Sequence, residues 1–168
     1  MIILIGGGSR SGKSSYALDC ARLRGSRLAF VATAEAGDDE MRDRAAAHRR
    51  ERGTEFETFE VPIELAKIIK AESHGYDAVV VDCLTLWLSN LMLKGKQDIA
   101  HETSTFLSSA LQANTAVILV TNEVGCGIVP DNELARRFRD AAGTMNRRAA
   151  EVATEVYWMA FGCPLRLK

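Results

Sequence analysis

Unbroken apolar runs divide the chain at residues 2–5, 28–32, 78–81 and 116–120. A short run with no polar alternation reads as a strand buried on both faces, as in a parallel sheet. The segments between repeat their apolar residues at helical spacing. They predict helices over 13–24, 38–52, 62–72, 84–93 and 101–112, and a long helix capped by Asp131 or Asn132 and ending near 153. Gly25 and Gly53 follow two of these segments as stop signals. The 38–52 segment is acidic in its first turn (Asp38, Asp39, Glu40) and basic in its last (Arg49, Arg50, Arg52), which suits the helix dipole. Residues 55–60 read as a short edge strand. Residues 156–161 and 165–167 read as a terminal hairpin around 162–164, and the polar stretch 94–98 as the place most open to insertion.

Strands alternating with helices predict an α/β fold of three layers, with a mostly parallel central sheet and a C-terminal hairpin. No repeat, linker or low-complexity stretch divides the chain, so residues 1–168 form one domain. In such a sheet the ligand sits at the carboxyl ends of the strands. The chemistry-bearing residues should therefore lie in the loops that follow the apolar runs.

Composition narrows the function classes. Hydrophobic residues make up 47% of the chain, enough for a core, and the net charge of -1 gives no general attraction to nucleic acid or anionic membranes. There is no long basic stretch of the kind a nucleic-acid motor needs. The four cysteines (Cys20, Cys83, Cys126, Cys163) form no Cys-x-x-Cys pair and lie in or beside apolar runs. They read as buried free thiols in a reducing compartment. Residues 1–5 are too short for a leader or a membrane span. A cytoplasmic protein is the expectation.

The first strand runs into Gly7, Gly8, Ser9, Arg10, Ser11, Gly12, Lys13 and Ser14. This is the Walker A spacing in its proper setting, with a strand before and a helix after. The glycines let backbone amides curl around phosphate oxygens, and the helix presents its positive end. Lys13 reaches the β- and γ-phosphates, and Ser14 is a ligand for Mg²⁺. Asp82 ends the third apolar run, the Walker B position, where a carboxylate holds Mg²⁺. A P-loop NTPase domain of the RecA-like kind follows.

His48 has Arg44 four residues before it and Arg52 four residues after it, so all three share a helix face. Flanking guanidinium groups disfavour imidazolium and leave a neutral, nucleophilic ring. The same arginines suit an incoming phosphate chain. By spacing alone a solvated basic face is the commoner explanation. His74 and His101 read as surface residues.

Several stretches together resemble the bifunctional adenosylcobinamide kinase / adenosylcobinamide-phosphate guanylyltransferases of cobalamin biosynthesis. They are the phosphate loop, Ala32-Thr33-Ala34, Asp38-Asp39-Glu40-Met41 and Arg44-x-x-x-His48-x-x-x-Arg52. Glu60-Val61-Pro62, Asp82-Cys83-Leu84-Thr85 and Asn90-Leu91 follow. The most distinctive stretch is Thr121-Asn122-Glu123-Val124-Gly125-Cys126-Gly127-Ile128-Val129-Pro130. Phe138-Arg139-Asp140-x-x-Gly143-x-x-Asn146 and Gly162-Cys163-Pro164-Leu165 complete the match, which spans nearly the whole chain. The resemblance implies that a nucleoside triphosphate (ATP or GTP) phosphorylates adenosylcobinamide. It further implies that GTP places GMP on His48 and that adenosylcobinamide phosphate then takes up this GMP. It implies nucleotide contacts at the phosphate loop, Thr33, the turn Arg49, Arg50, Glu51 and Arg52, Glu60 and Asp82. A homo-oligomer, with a trimer expected, is also implied. Glu123 is a candidate base or metal-shell residue, or a loop brace. Arg136, Arg137 and Arg139 are a solvated face, a subunit contact or a corrinoid phosphate contact. Three positions depart from the family pattern: Arg147 for glutamine, Phe56 for tryptophan, and aspartate at 82 where some members carry glutamate. A different P-loop kinase for a small metabolite, with His48 incidental, is the main alternative. A non-enzymatic nucleotide-binding module is the second.

Overall fold

A computed structural model of the chain describes residues 1–34, 52–95 and 98–168. Its elements are β1 (Ile2–Gly7), α1 (Lys13–Arg22), β2 (Leu28–Ala32), β3 (Phe56–Glu60), α2 (Leu65–Glu72), β4 (Ala78–Asp82), α3 (Leu84–Leu93), α4 (Ile99–Gln112), β5 (Ala116–Val120), α5 (Glu133–Val152), β6 (Glu155–Ala160) and β7 (Cys163–Arg166). The seven strands form one sheet in the order β3-β2-β4-β5-β1-β6-β7. All neighbouring pairs are parallel except β6 with β7.

The central strands are apolar on both faces because helices cover both. One cluster gathers Ile2, Leu4, Val79, Val81, Val117 and Leu119 against α2, α3, α4 and α5. The other gathers Ile3, Ile5, Phe30, Val80 and Ile118 against α1. Alternate residues of one central strand thus feed opposite cores, whereas the edge strands β3 and β7 are largely exposed. Trp87 is the largest fully buried side chain of α3. Its ring packs on Phe106 at 5.4 Å, and its indole N–H donates to Ile63 O at 2.7 Å.

Local chemistry moves some of the predicted boundaries. α4 starts at Ile99 rather than 101, because Asp98 accepts from His101 N at 2.8 Å and caps it. α5 is capped by Asn132, not Asp131, through a 2.7 Å bond from Ala135 N. α2 starts at Leu65, after Pro62. The hairpin turns at Phe161–Gly162 rather than 162–164, with both residues at positive φ (52° and 82°). That pattern belongs to a two-residue primed turn, whose twist matches the strands. The hairpin also belongs to the main sheet, because β6 pairs with β1 in parallel register.

The cysteines need a correction. Cys20 and Cys83 are buried free thiols, whereas Cys126 and Cys163 are exposed, one on the loop after β5 and one at the start of an edge strand. An apolar neighbour in sequence does not ensure burial where the backbone itself lies at the surface. Burial pushes the Cys83 thiol up to about 12 and also raises that of Cys20. A thiol reagent near neutral pH is therefore expected to modify Cys126 and Cys163 at once, and Cys20 and Cys83 only after denaturant. Mass spectrometry of the modified chain reads the difference.

Among the described residues no helix is long and apolar enough to cross a membrane. His74 and His101 are exposed, as predicted. Residues 38–51 of the predicted histidine helix, with Arg44, His48, Arg49, Arg50 and Glu51, lie outside the described residues.

Candidate active site

Strand register sets the site. Ala32 pairs with both Glu60 and Asp82, Asp82 with Val120, and Val120 with Ile5. These residues form one row across the sheet at its carboxyl end. With strands about 4.8 Å apart, Glu60 and Ile5 each lie roughly 10 Å from Asp82. The loops at 33–34, 83 and 121–123 and the phosphate loop all leave just beyond this row.

The phosphate loop is held from the side by the hairpin. A Cβ on Gly7 (φ 151°) would lie 2.7 Å from Met159 O and 2.9 Å from Ser11 Oγ, so only glycine fits. Gly12 (φ 89°) lies against Gly162 and opens α1 with no side-chain cap. A helix start that glycine caps without a side chain is the kind of place where a phosphate is received. Gly8, Ser9 and Arg10 are exposed, and Arg10 has a left-handed φ of 53°.

Lys13 is 7% exposed and folds back over this loop. Its ammonium donates to Gly8 O at 2.5 Å and to Ser11 Oγ at 3.4 Å. Burial lowers its pKa, while the Asp82 carboxylate pulls the other way. The Asp82 carboxylate at the end of β4 is therefore near enough to act on the Lys13 charge, with the half-buried Ser14 one residue further on. The donor set offered to a metal is one hydroxyl and one carboxylate. That suits Mg²⁺, a hard cation that keeps waters and takes further oxygens from substrate phosphates.

The other predicted residues are placed as follows. Thr33 is fully buried, and its hydroxyl accepts from Cys83 N and donates to Cys83 O, both at 2.8 Å. Thr33 N also donates to Asp82 O at 3.1 Å. Thr33 thereby splices the ends of β2 and β4 and holds the backbone that carries Asp82. Glu60 is exposed at the end of β3. Arg52 is 5% exposed, with its guanidinium carbon 3.9 Å above the centre of the Phe30 ring. The Glu123 carboxylate accepts from Gly125 N, and Glu123 N donates to Gly7 O at 3.1 Å. Glu123 thus braces its own loop while its backbone ties that loop to the phosphate loop.

One part of the site had no assigned role in the residue reading. Asn122 N donates to Thr85 Oγ1 at 2.7 Å, and Thr85 and Thr121 hydroxyls meet at 3.3 Å. Thr121 Oγ1 donates to Asn146 Oδ1 at 2.7 Å, and Asn146 Nδ2 returns to Asn122 O at 3.1 Å. Thr121 has one proton and gives it to Asn146, so Thr85 is the donor between the two hydroxyls. The ring of bonds closes through α3, the loop after β5 and α5. Asn90 adds a second clamp, donating to Thr33 O at 2.8 Å and Pro62 O at 3.1 Å. A polar residue inside a mostly apolar helix, as Thr85 and Asn90 are in α3, is the sequence signal for such clamps. Replacing Asn146 with alanine is expected to destabilise the fold by about 1–3 kcal/mol, because the buried Thr121 hydroxyl and the half-buried Asn122 carbonyl lose a partner. Chemical denaturation monitored by tryptophan fluorescence measures it.

Beyond this ring, the loop after β5 and the face of α5 enclose an open cavity of about 590 Å³, lined in part by Gly127, Val129, Arg139, Gly143 and Arg147.

A parallel sheet with a phosphate loop after its first strand, and a carboxylate two strands away, defines a RecA-like P-loop NTPase fold. Solved structures share it. The RadB recombinase superposes with a TM-score of 0.52 at 16% identity, over 94% of this chain and 73% of that one. A second solved structure, an ATPase domain, superposes with a TM-score of 0.54 at 12% identity, over 94% of this chain and 68% of that one. The sequence then narrows the class. The family model "Cobinamide kinase / cobinamide phosphate guanyltransferase" matches residues 3–167, and the chain belongs to that family of transferases. It is 41% identical to the bifunctional adenosylcobalamin biosynthesis protein CobP of Pseudomonas aeruginosa, over 98% of this chain and 96% of that protein. It is 36% identical to the corresponding CobU protein of Salmonella typhimurium and 35% identical to that of Escherichia coli, over the full length of each.

Proposed function

We propose that this enzyme phosphorylates the side-arm hydroxyl of adenosylcobinamide with ATP or GTP. It then transfers GMP from GTP, by way of a covalent GMP–His48, to the new phosphate, giving adenosylcobinamide-GDP and pyrophosphate. The observation that carries this reading is the convergence of Lys13 and Asp82 at the carboxyl end of the sheet, in a chain that matches the family over residues 3–167.

In the first half-reaction the acceptor hydroxyl attacks the γ-phosphorus and the nucleoside diphosphate leaves. Phosphoryl transfer of this kind asks the protein chiefly for position and charge. Lys13 supplies a cation at the β- and γ-oxygens, and the amides of residues 8–14 surround them. Asp82 and Ser14 would hold Mg²⁺, which neutralises phosphate charge when bound. Thr33 serves the site through the backbone it fixes beside Asp82.

In the second half-reaction the neutral His48 ring attacks the α-phosphorus of GTP and pyrophosphate leaves. An oxygen of adenosylcobinamide phosphate then displaces the imidazole. Two displacements at phosphorus replace one, which is what a covalent intermediate offers. Arg44 and Arg52 stabilise the charge on the transferring α-phosphate. Arg49, Arg50, Glu51 and Glu60 complete the nucleotide contacts. The enzyme works in the cytoplasm as a homo-oligomer, with three subunits expected.

The test supplies purified protein with Mg²⁺, GTP and adenosylcobinamide and follows products by chromatography. Appearance of adenosylcobinamide phosphate and then adenosylcobinamide-GDP supports the reading. Nucleotide binding with no corrinoid product would leave a P-loop kinase for another small metabolite.

A further inference from the structure

We propose that the open cavity between the loop after β5 and the outer face of α5 binds the acceptor, seating its phosphate-bearing arm between Arg139 and Arg147 and an apolar part on the loop. This rests on the function proposed above and assigns a place to its second substrate.

Four observations converge on the cavity. Its volume, about 590 Å³, suits part of a large ligand rather than a solvent dimple. It is lined by two guanidinium groups and one carboxylate, Asp140, so its charge favours an anion. Arg139 keeps only a loose contact with Asp140 (3.7 Å), and Arg147 meets Glu151 at 3.3 Å on an exposed surface. Such pairs are weak and readily exchanged for phosphate. The loop beside it displays Ile128 and Val129 at 96% and 58% exposure, an apolar rim that the described residues leave uncovered. Together the walls suit an amphiphilic molecule with one anionic end.

The fourth observation is position. The loop that forms one wall begins at Thr121 and is bonded to the phosphate loop through Glu123 N and Gly7 O. The helix that forms the other wall is pinned to the same loop by Asn146, one residue before Arg147. A ligand in the cavity thus lies against elements held in fixed relation to the γ-phosphate position. The acceptor of a phosphoryl group must approach from the carboxyl end of the sheet, and the loop that walls this cavity leaves β5 at that end.

Gly143 provides the test. It lies on the exposed side of α5, and a Cβ there would meet nothing within 4 Å. Gly143→Leu therefore fills the cavity without crowding the fold, and it replaces a poor helix former with a good one. The full-length variant is expected to melt no lower than the parent and to bind GTP with unchanged Kd. It is also expected to take up α-labelled GMP normally. Its KM for adenosylcobinamide and adenosylcobinamide phosphate should rise about tenfold or more, since a blocked contact surface weakens acceptor binding on that scale. Arg147→Glu should raise the KM for the phosphorylated acceptor more than for the unphosphorylated one. Unchanged acceptor KM in both variants overturns the proposal while leaving the enzyme's function intact. A parent enzyme inactive on either corrinoid overturns the functional reading instead. A loss of GTP binding in Gly143→Leu would place the cavity in the nucleotide site and also overturn the proposal.

Discussion

His48→Ala is expected to lower incorporation of α-labelled GMP into the chain by at least about 10³-fold, the scale on which losing a nucleophile leaves only binding behind. A phosphoramidate needs a nitrogen at the α-phosphorus, and alanine offers none. The phosphate loop is untouched, so GTP binding and phosphorylation of adenosylcobinamide should persist, which makes the kinase half the internal control for folding. Label is followed after denaturation, with acid lability marking a phosphorus–nitrogen bond. Full labelling of the variant would transfer the nucleophile's role to another side chain. Loss of both activities would instead point to damage in the segment that carries His48.

Lys13→Met is expected to lower kcat of the phosphorylation step by about 10²–10³-fold, the usual result of removing one preorganised charge from a water-poor site. The stability effect should run the other way. Burial lowers the pKa of Lys13 from its ordinary value of 10.5, and Asp82 offsets this only in part. The folded state therefore disfavours the charged lysine relative to the unfolded chain, at every pH below the folded pKa. That burden lifts as pH rises from the folded value toward 10.5, so this residue's contribution makes stability increase with pH in that window. Methionine has no proton to lose, so the variant should be no less stable than the parent near neutral pH and should lack this rise. Calorimetry across alkaline pH, beside steady-state kinetics, checks both. An unimpaired Lys13→Met would remove the phosphate loop from the chemistry.

The two halves of the site were legible to different degrees. Gly7, Gly12, Lys13 and Ser14 declare themselves because phosphate binding needs glycine conformations, a helix start and a cation at fixed spacing along one stretch. Asp82 is a weak signal alone, an acid at the end of an apolar run, and gains its meaning beside the phosphate loop. Arg52 is different. Helical spacing groups it with His48, and only the fold reveals that its guanidinium lies on Phe30, a residue far from it in sequence. Thr33 reads as a nucleotide contact by resemblance, yet both bonds of its hydroxyl go to Cys83.

What the sequence determined by itself was local: the apolar runs that become β1, β2, β4 and β5, the segments that become α1, α2, α3, α4 and α5, the phosphate loop, and the family pattern. Each depends on neighbours within a few residues, where spacing and backbone preference act directly. Tertiary structure alone decided the strand order, the row that brings Glu60, Asp82 and Ile5 to one level, and the joining of β6 to β1. It alone closed the Thr85–Thr121–Asn146–Asn122 ring and left Cys126 and Cys163 exposed. These depend on which distant segments share a hydrogen bond or a core. Residue spacing carries little of that information, because packing chooses partners by shape and burial across the whole chain.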